Sequence, residues 1–146
     1  MYKLNIVRIL TLATVVLALT LAGGVLNAQV KKGKTRAMKT AQLMRCVTKP
    51  NCDALKKGLD AGPANEEAWD GLAANAAVLN EISYIVMDDG RCPDGVWADA
   101  ATKTLRQGSA EVLAAIEAKD VVAAKTAFGN MTKACKACHD KHREKK

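Results

Sequence analysis

Four stretches of this sequence carry apolar residues at helical spacing, and this pattern constrains the fold more than any other feature. Residues 68–87 and 96–118 show it most clearly, with an apolar residue at every third or fourth position. Short segments rich in glycine, proline and aspartate separate the stretches and mark turns. Four amphipathic helices with short connections predict an all-α fold, an antiparallel four-helix bundle.

The first and last helices are less regular in sequence. The first is expected from Ala37 onwards, with an interruption at Pro50 after which the pattern could resume, and a turn at Gly62. Asp120 is expected to cap the fourth helix. The apolar stripe of that helix comprises Val121, Ala124, Phe128, Met131, Cys135 and Cys138. Abundant alanine and only five aromatic residues suit closely packed helices and argue against a sheet.

Residues 1–28 have the order of a secretory signal peptide. Lys3 and Arg8 form a positive start, residues 9–21 are almost wholly apolar, and Ala28 is a small residue at a cleavage point. An uncleaved anchor is the alternative, since the apolar run extended to Leu26 reaches about 18 residues. The glycine pair that ends the run favours cleavage, so residues 29–146 are predicted to form one exported domain with no stable membrane span.

The segment Cys135-Lys136-Ala137-Cys138-His139 is the attachment signature of c-type haem. Two residues between the thiols place them about one helical turn apart, where they can bond to the two vinyl groups of the porphyrin. The adjacent histidine then becomes an axial ligand of the iron. A zinc site is disfavoured because ligands from one short helical segment cannot surround a metal. The motif therefore predicts one covalently attached haem c, with His139 on the iron.

These residues resemble the cytochrome c-prime family, also called class II c-type cytochromes. The resemblance rests on the residues at 96–101 and 127–130 and on the motif with its basic tail, and it is loose over the first two helices. It implies a four-helix bundle with the haem near its C-terminus, and electron transfer in a bacterial periplasm or, in some members, gas binding. Arg143 matches a basic residue that the family keeps beside the haem.

The resemblance also places the first helix on the opposite face of the iron. Met131 and His142 are excluded there because both lie on the proximal helix, so Met131 is expected in the core and His142 at the surface or facing a propionate. Six-coordinate relatives carry a methionine in the first helix, which Met44 matches, with Met38 as the alternative. A methionine ligand would suit an electron carrier. If both methionines only fill gaps in the core, an open site would suit nitric oxide or carbon monoxide.

Three cysteines, Cys46, Cys52 and Cys92, lie outside the motif. Thiols in an oxidising compartment tend to pair, but an odd number cannot all pair within one chain. A Cys46–Cys52 bridge, a bond from either to Cys92, and three unpaired thiols all stay open, because sequence does not determine connectivity.

The chain is basic, with a formal net charge of +7, and this charge bears on its partners. Nucleic acid is not expected in an exported chain without interleaved aromatic and basic residues. Basic residues instead flank the start of the first helix and the end of the last, which share one end of an up-and-down bundle. They are Lys31, Lys32, Lys34, Arg36, Lys136, Lys141, Arg143, Lys145 and Lys146.

Positive charge around a haem edge predicts an acidic redox protein as partner, with a solvated tail that only aids solubility as the alternative. A homodimer is a further option. We therefore expect a periplasmic electron carrier and not an enzyme. The alternatives are a five-coordinate haem protein that binds a small gas, and a haem-free exported protein with disulfides.

Overall fold

The computed structural model describes residues 32–143, which form four helices with no strand among them. In chain order these are α1 (consecutive segments Thr40–Leu43, Met44–Thr48 and Lys49–Ala61), α2 (Glu66–Ile85), α3 (consecutive segments Gly95–Asp99, Ala100–Arg106 and Gln107–Glu117) and α4 (Val121–His142). Helices adjacent in the chain pack against each other, and α1 also packs on α4. This confirms the predicted antiparallel four-helix bundle.

One apolar core runs along the bundle and draws on every helix. Its fully buried members are Leu43, Leu55, Leu59, Leu72, Ala76, Leu79, Ile82, Val86, Trp97, Ala101, Leu105, Val112, Ile116, Ala124 and Met131. Met131 is therefore a core residue, as predicted. Among residues 32–143, no helix is long and apolar enough to cross a membrane. The signal peptide predicted at 1–28 lies outside the described residues.

Three of the helices begin with a polar capping residue. The side chain of Asn65 accepts a hydrogen bond from Ala68 N at the start of α2, and that of Asp94 accepts one from Trp97 N at the start of α3. Asp120 accepts two backbone hydrogen bonds at the start of α4, which confirms its predicted role. Each cap satisfies backbone N–H groups that have no partner inside the helix.

Pro50 does not interrupt α1, so the predicted break at this residue is wrong. The turn before it, Met44–Thr48, is a π turn. Proline lacks an N–H donor, and its ring crowds the carbonyl four residues earlier. The wider turn relieves that crowding, and Asn51 Nδ2 donates a side-chain hydrogen bond to Val47 O at 2.7 Å within this turn. The helix therefore continues through the proline with its register shifted.

The segment before α1 is held against the loop between α2 and α3. Arg91 in that loop is 1% exposed, and its guanidinium donates to Met38 O at 2.8 Å and to Thr40 Oγ1 at 3.3 Å. The carboxylate of Asp89 accepts hydrogen bonds from the backbone N–H groups of Thr35 and Arg36. These contacts place the start of α1 at the same end of the bundle as the start of α3.

Two helical glycines have contrasting surroundings, and this difference gives a test of the packing. A Cβ atom at Gly108 of α3 would lie 2.8 Å from Cγ of Met131 on α4, whereas a Cβ at Gly71 of α2 would meet nothing within 4 Å. Close approach of α3 and α4 therefore depends on the absence of a side chain at Gly108.

We predict that Gly108→Ala lowers the free energy of unfolding by about 1 kcal/mol, because overpacking of about 1–3 kcal/mol outweighs the gain in helix propensity. The control Gly71→Ala should raise it by about 1 kcal/mol, since only the propensity changes. Urea unfolding of both variants measures the two effects. Equal stabilisation by both substitutions would contradict this account of the α3–α4 contact.

Candidate haem site

The C-x-x-C-H residues lie in the last two turns of α4. Cys135 and Cys138 are half-buried and His139 is exposed. All three follow Met131, the last fully buried residue of this helix. Because their spacing is three and four residues, they share one side of the helix. The apolar stripe of α4 thus continues beyond the packed core and ends on two thiols and an imidazole.

The thiols of the motif are free in the structure, which shows no disulfide at any of the five cysteines. Burial raises the pKa of Cys138 to about 11, with further contributions from the charges of Cys135 and Asp94. Burial also raises the pKa of Cys135. Both groups are therefore protonated at neutral pH, and disulfide exchange through them is slow because it requires a thiolate.

His139 has the protonation state that iron ligation needs. Neighbouring protein atoms partly remove water from the imidazole, which lowers the pKa of His139. The positive charge of Arg143 lowers this pKa further, and the negative charge of Asp140 raises it. The imidazole is therefore neutral at neutral pH, the form in which histidine binds metals. Arg143 N also donates to His139 O at 3.0 Å, so this arginine lies beside the histidine at the end of α4.

The side of α1 nearest the motif carries Cys52. Burial raises the pKa of Cys52 to about 11, and the next largest cause is the charge of Cys135 on α4. Since α1 packs on α4, Cys52 lies on the side of α1 that faces the motif. Met44 precedes Cys52 by eight residues. An α turn holds about 3.6 residues and a π turn nearly one more, so one of each brings Met44 almost into line with Cys52. Met44 is half-buried and packs against the core.

Met38 occupies a different position. It precedes α1, is 43% exposed, and lines a surface groove of about 450 Å³ together with Leu43, Val47 and residues of α2. None of the three motif residues lines that groove. The structure therefore separates the two candidate methionines and leaves Met44 as the one on the face of α1 that carries Cys52.

His142 is largely buried, so its expected position at the surface is wrong, while the alternative that it faces a propionate stays a prediction. Its side chain is 10% exposed, its ring stands edge-on to Trp97 with centroids 5.4 Å apart, and its Nε2 lies 3.3 Å from Asp94 Oδ1. The loop before α3 covers the last turn of α4 and buries this ring. An aspartate-glycine pair before a predicted helix signals a cap, but nothing in the sequence links Asp94 to α4.

The cysteines outside the motif are unpaired, which is one of the three arrangements left open. Cys46 is exposed on α1, and the Sγ of Cys92 contacts Asp94 O at 3.5 Å. Cys52 is half-buried on the side of α1 that faces Cys135. None of these three thiols therefore forms a disulfide bond within the chain.

Several of the basic residues near the motif already have acidic partners. Ion pairs join Arg36 to Asp88, Lys136 to Asp140 and Lys141 to Asp94. Lys32 and Lys34 are exposed before α1, and Lys31, Lys145 and Lys146 lie outside the described residues. The positive charge at this end of the bundle is thus partly neutralised.

The donor set fits a covalently bound haem. Such a group requires two free thiols one turn apart, a neutral imidazole on the same side of the helix, and an apolar neighbour to cover the porphyrin. Cys135, Cys138 and His139 meet the first two requirements, and the half-buried stripe facing α1 meets the third. Among the described residues, no cluster of acidic, histidine and cysteine side chains is arranged to hold a metal ion directly.

Comparisons with known proteins agree with this geometry. The sequence model of the Cytochrome C' family matches residues 66–143. A cytochrome c' from Alcaligenes xylosoxydans xylosoxydans is 31% identical over 87 residues, which cover 51% of this chain and 68% of that protein. No solved structure matches the chain. Because the match spans more than half of the chain and includes the C-x-x-C-H motif, the chain belongs to the cytochrome c' family of haem c proteins.

Proposed function

We propose that this protein is an exported monohaem c-type cytochrome that carries electrons in a periplasm. Cys135 and Cys138 hold the haem, His139 binds the iron on one face, and Met44 binds it on the other. One observation carries the proposal: two free thiols and a neutral histidine share one side of α4, and Cys135 among them lies beside α1. The signal-like order of residues 1–28 supports export, and c-type haem is a cofactor of exported proteins.

The chain's residues have distinct tasks in this function. The haem supplies a one-electron redox centre when bound. His139 would donate a ring nitrogen to the iron, and Cys135 and Cys138 would attach one edge of the haem to α4. The thioether of Met44 stabilises reduced iron and raises the reduction potential, which suits a carrier.

A gas-binding protein with five-coordinate iron is the second candidate. It requires that no side chain reach the iron from α1. The half-buried position of Met44 and its register with Cys52 favour the six-coordinate carrier instead. The haem-free disulfide protein is disfavoured because none of the five cysteines is paired. A sharp α-band in the visible spectrum of the reduced protein indicates six-coordinate iron, and a broad high-spin spectrum indicates an open site.

Attachment is tested by removing the two thiols. The double variant Cys135→Ser/Cys138→Ser should lose its haem on acid-acetone extraction, because no thioether bond remains. The matched control Cys46→Ser/Cys92→Ser should retain all of its haem. His139→Ala should keep the thioether bonds and lose the low-spin spectrum. Haem that survives extraction from the first variant would refute attachment through this motif.

The distal ligand is tested by replacing methionine with leucine, which has a similar volume but no sulfur atom. Met44→Leu should convert the spectrum from low-spin to high-spin and open the iron to carbon monoxide. Met38→Leu, the matched control, should leave both properties unchanged. If the wild-type protein already binds carbon monoxide rapidly, the gas-binding function is supported and ligation by Met44 is wrong.

The partner surface is tested by stopped-flow electron transfer with an acidic redox protein. The rate should fall several-fold as salt rises, because screening weakens electrostatic steering. Lys32→Glu/Lys34→Glu should flatten this dependence, since both lysines are exposed at the haem end. The control Lys57→Glu/Lys125→Glu makes the same charge change near the opposite end of the bundle and should leave the salt dependence of the rate unchanged. A wild-type rate that does not change with salt would exclude a basic docking surface.

A further inference from the structure

The carboxylate of Asp94, in the loop before α3, contacts the end of α4. We infer that Asp94 is a positioning residue for His139: it fixes the last turns of α4, and through them the orientation of the imidazole on the iron. The inference rests on the proposed function, because it assigns to Asp94 a part in how the haem ligand is held. The contacts of Asp94 come from two helices.

Asp94 makes three links with its two oxygen atoms. Oδ1 accepts a hydrogen bond from Trp97 N at 3.0 Å and lies 3.3 Å from Nε2 of His142. Oδ2 is 2.7 Å from the ammonium group of Lys141. The first link caps α3, and the other two reach α4. A single side chain thus joins the beginning of one helix to the end of another.

The partners of Asp94 are themselves held in place. Trp97 is 4% exposed, and its Nε1 donates to Val86 O at 2.7 Å, which ties the first turn of α3 to the end of α2. The same indole ring meets the edge of His142. Hydrogen bonding from Lys141, followed by that from Trp97 N, lowers the pKa of Asp94 to about 2. The carboxylate therefore stays charged across the neutral range.

The residues of α4 that contact Asp94 lie close to the proposed iron ligand along the helix. His142 follows His139 by three residues, so the two rings lie on neighbouring turns of one helix face. Beyond Met131, no described residue of α4 is fully buried. Packing alone therefore holds the end of α4 weakly, and helix ends fray when their contacts are few. Asp94 and Trp97 add polar and ring contacts to the partial packing of this end.

Two aspartates in the chain allow a matched experiment. Asp94 and Asp120 both cap helices, but the side chain of Asp120 bonds only to backbone N–H groups of its own helix. Serine caps a helix about as well as aspartate does. Asp94→Ser therefore keeps the cap of α3 and removes the links to α4, while Asp120→Ser changes a cap of the same kind far from the motif. Both variants are prepared as holoproteins, and haem content is measured first.

The readout is the set of haem methyl resonances in the ¹H NMR spectrum of the oxidised protein, whose shifts follow the orientation of the axial histidine plane. Asp94→Ser should shift these resonances, and Asp120→Ser should not. His142→Phe keeps a ring beside Trp97 but loses the nitrogen, so it should give a shift in the same direction as Asp94→Ser.

Two results would overturn the inference, and they are distinguishable. If the wild-type protein holds no covalent haem, the proposed function fails and the positioning role fails with it. If haem content is normal and Asp94→Ser leaves all methyl shifts unchanged, only the positioning role is wrong. A loss of thermal stability by Asp94→Ser without any change in these shifts counts as the second result.

Discussion

The apolar stripe of α4 constrains the whole structure, because it must serve two purposes along one helix. Its first part, up to Met131, packs against α3 in the core, at a distance that only glycine at position 108 permits. Its last part carries Cys135 and Cys138, which are only half-buried. Side chains fill the core in the first part, whereas in the proposed function the second part would accept a flat porphyrin. The bundle therefore packs tightly at one end of α4 and loosely at the other.

The loop between α2 and α3 compensates for this loose end. Arg91 and Asp89 hold the segment before α1, while Asp94 holds the end of α4. Three chain segments that are distant in sequence thus meet at one loop of fixed conformation. This arrangement explains why so many charged side chains lie near the motif and yet leave only part of their charge for a partner. It also holds the turns that carry the C-x-x-C-H motif by polar contacts that do not depend on apolar burial.

The sequence predicted the bundle and the placement of the motif because both follow from local patterns. Helical periodicity located α2 and α3 to within two residues, and Asp120 was recognisable as a cap. The prediction failed at Pro50, where a π turn accommodates the proline, because apolar periodicity does not distinguish a π turn from a break in the helix. The burial of His142 was also missed, because its contacts with Asp94 and Trp97 join residues more than 40 positions apart. Such tertiary contacts have no signature in a single sequence.

Attachment of one haem by two thioether bonds is the central claim, and tryptic mapping of the purified protein tests it most directly. Trypsin cleaves after Lys133, Lys136 and Lys141, so it separates Cys135 from Cys138. If both thiols bind one haem, the fragments 134–136 and 137–141 remain joined through it and elute as a single species with haem absorbance and the combined mass. Recovery of the two fragments as separate peptides without haem absorbance would contradict the account.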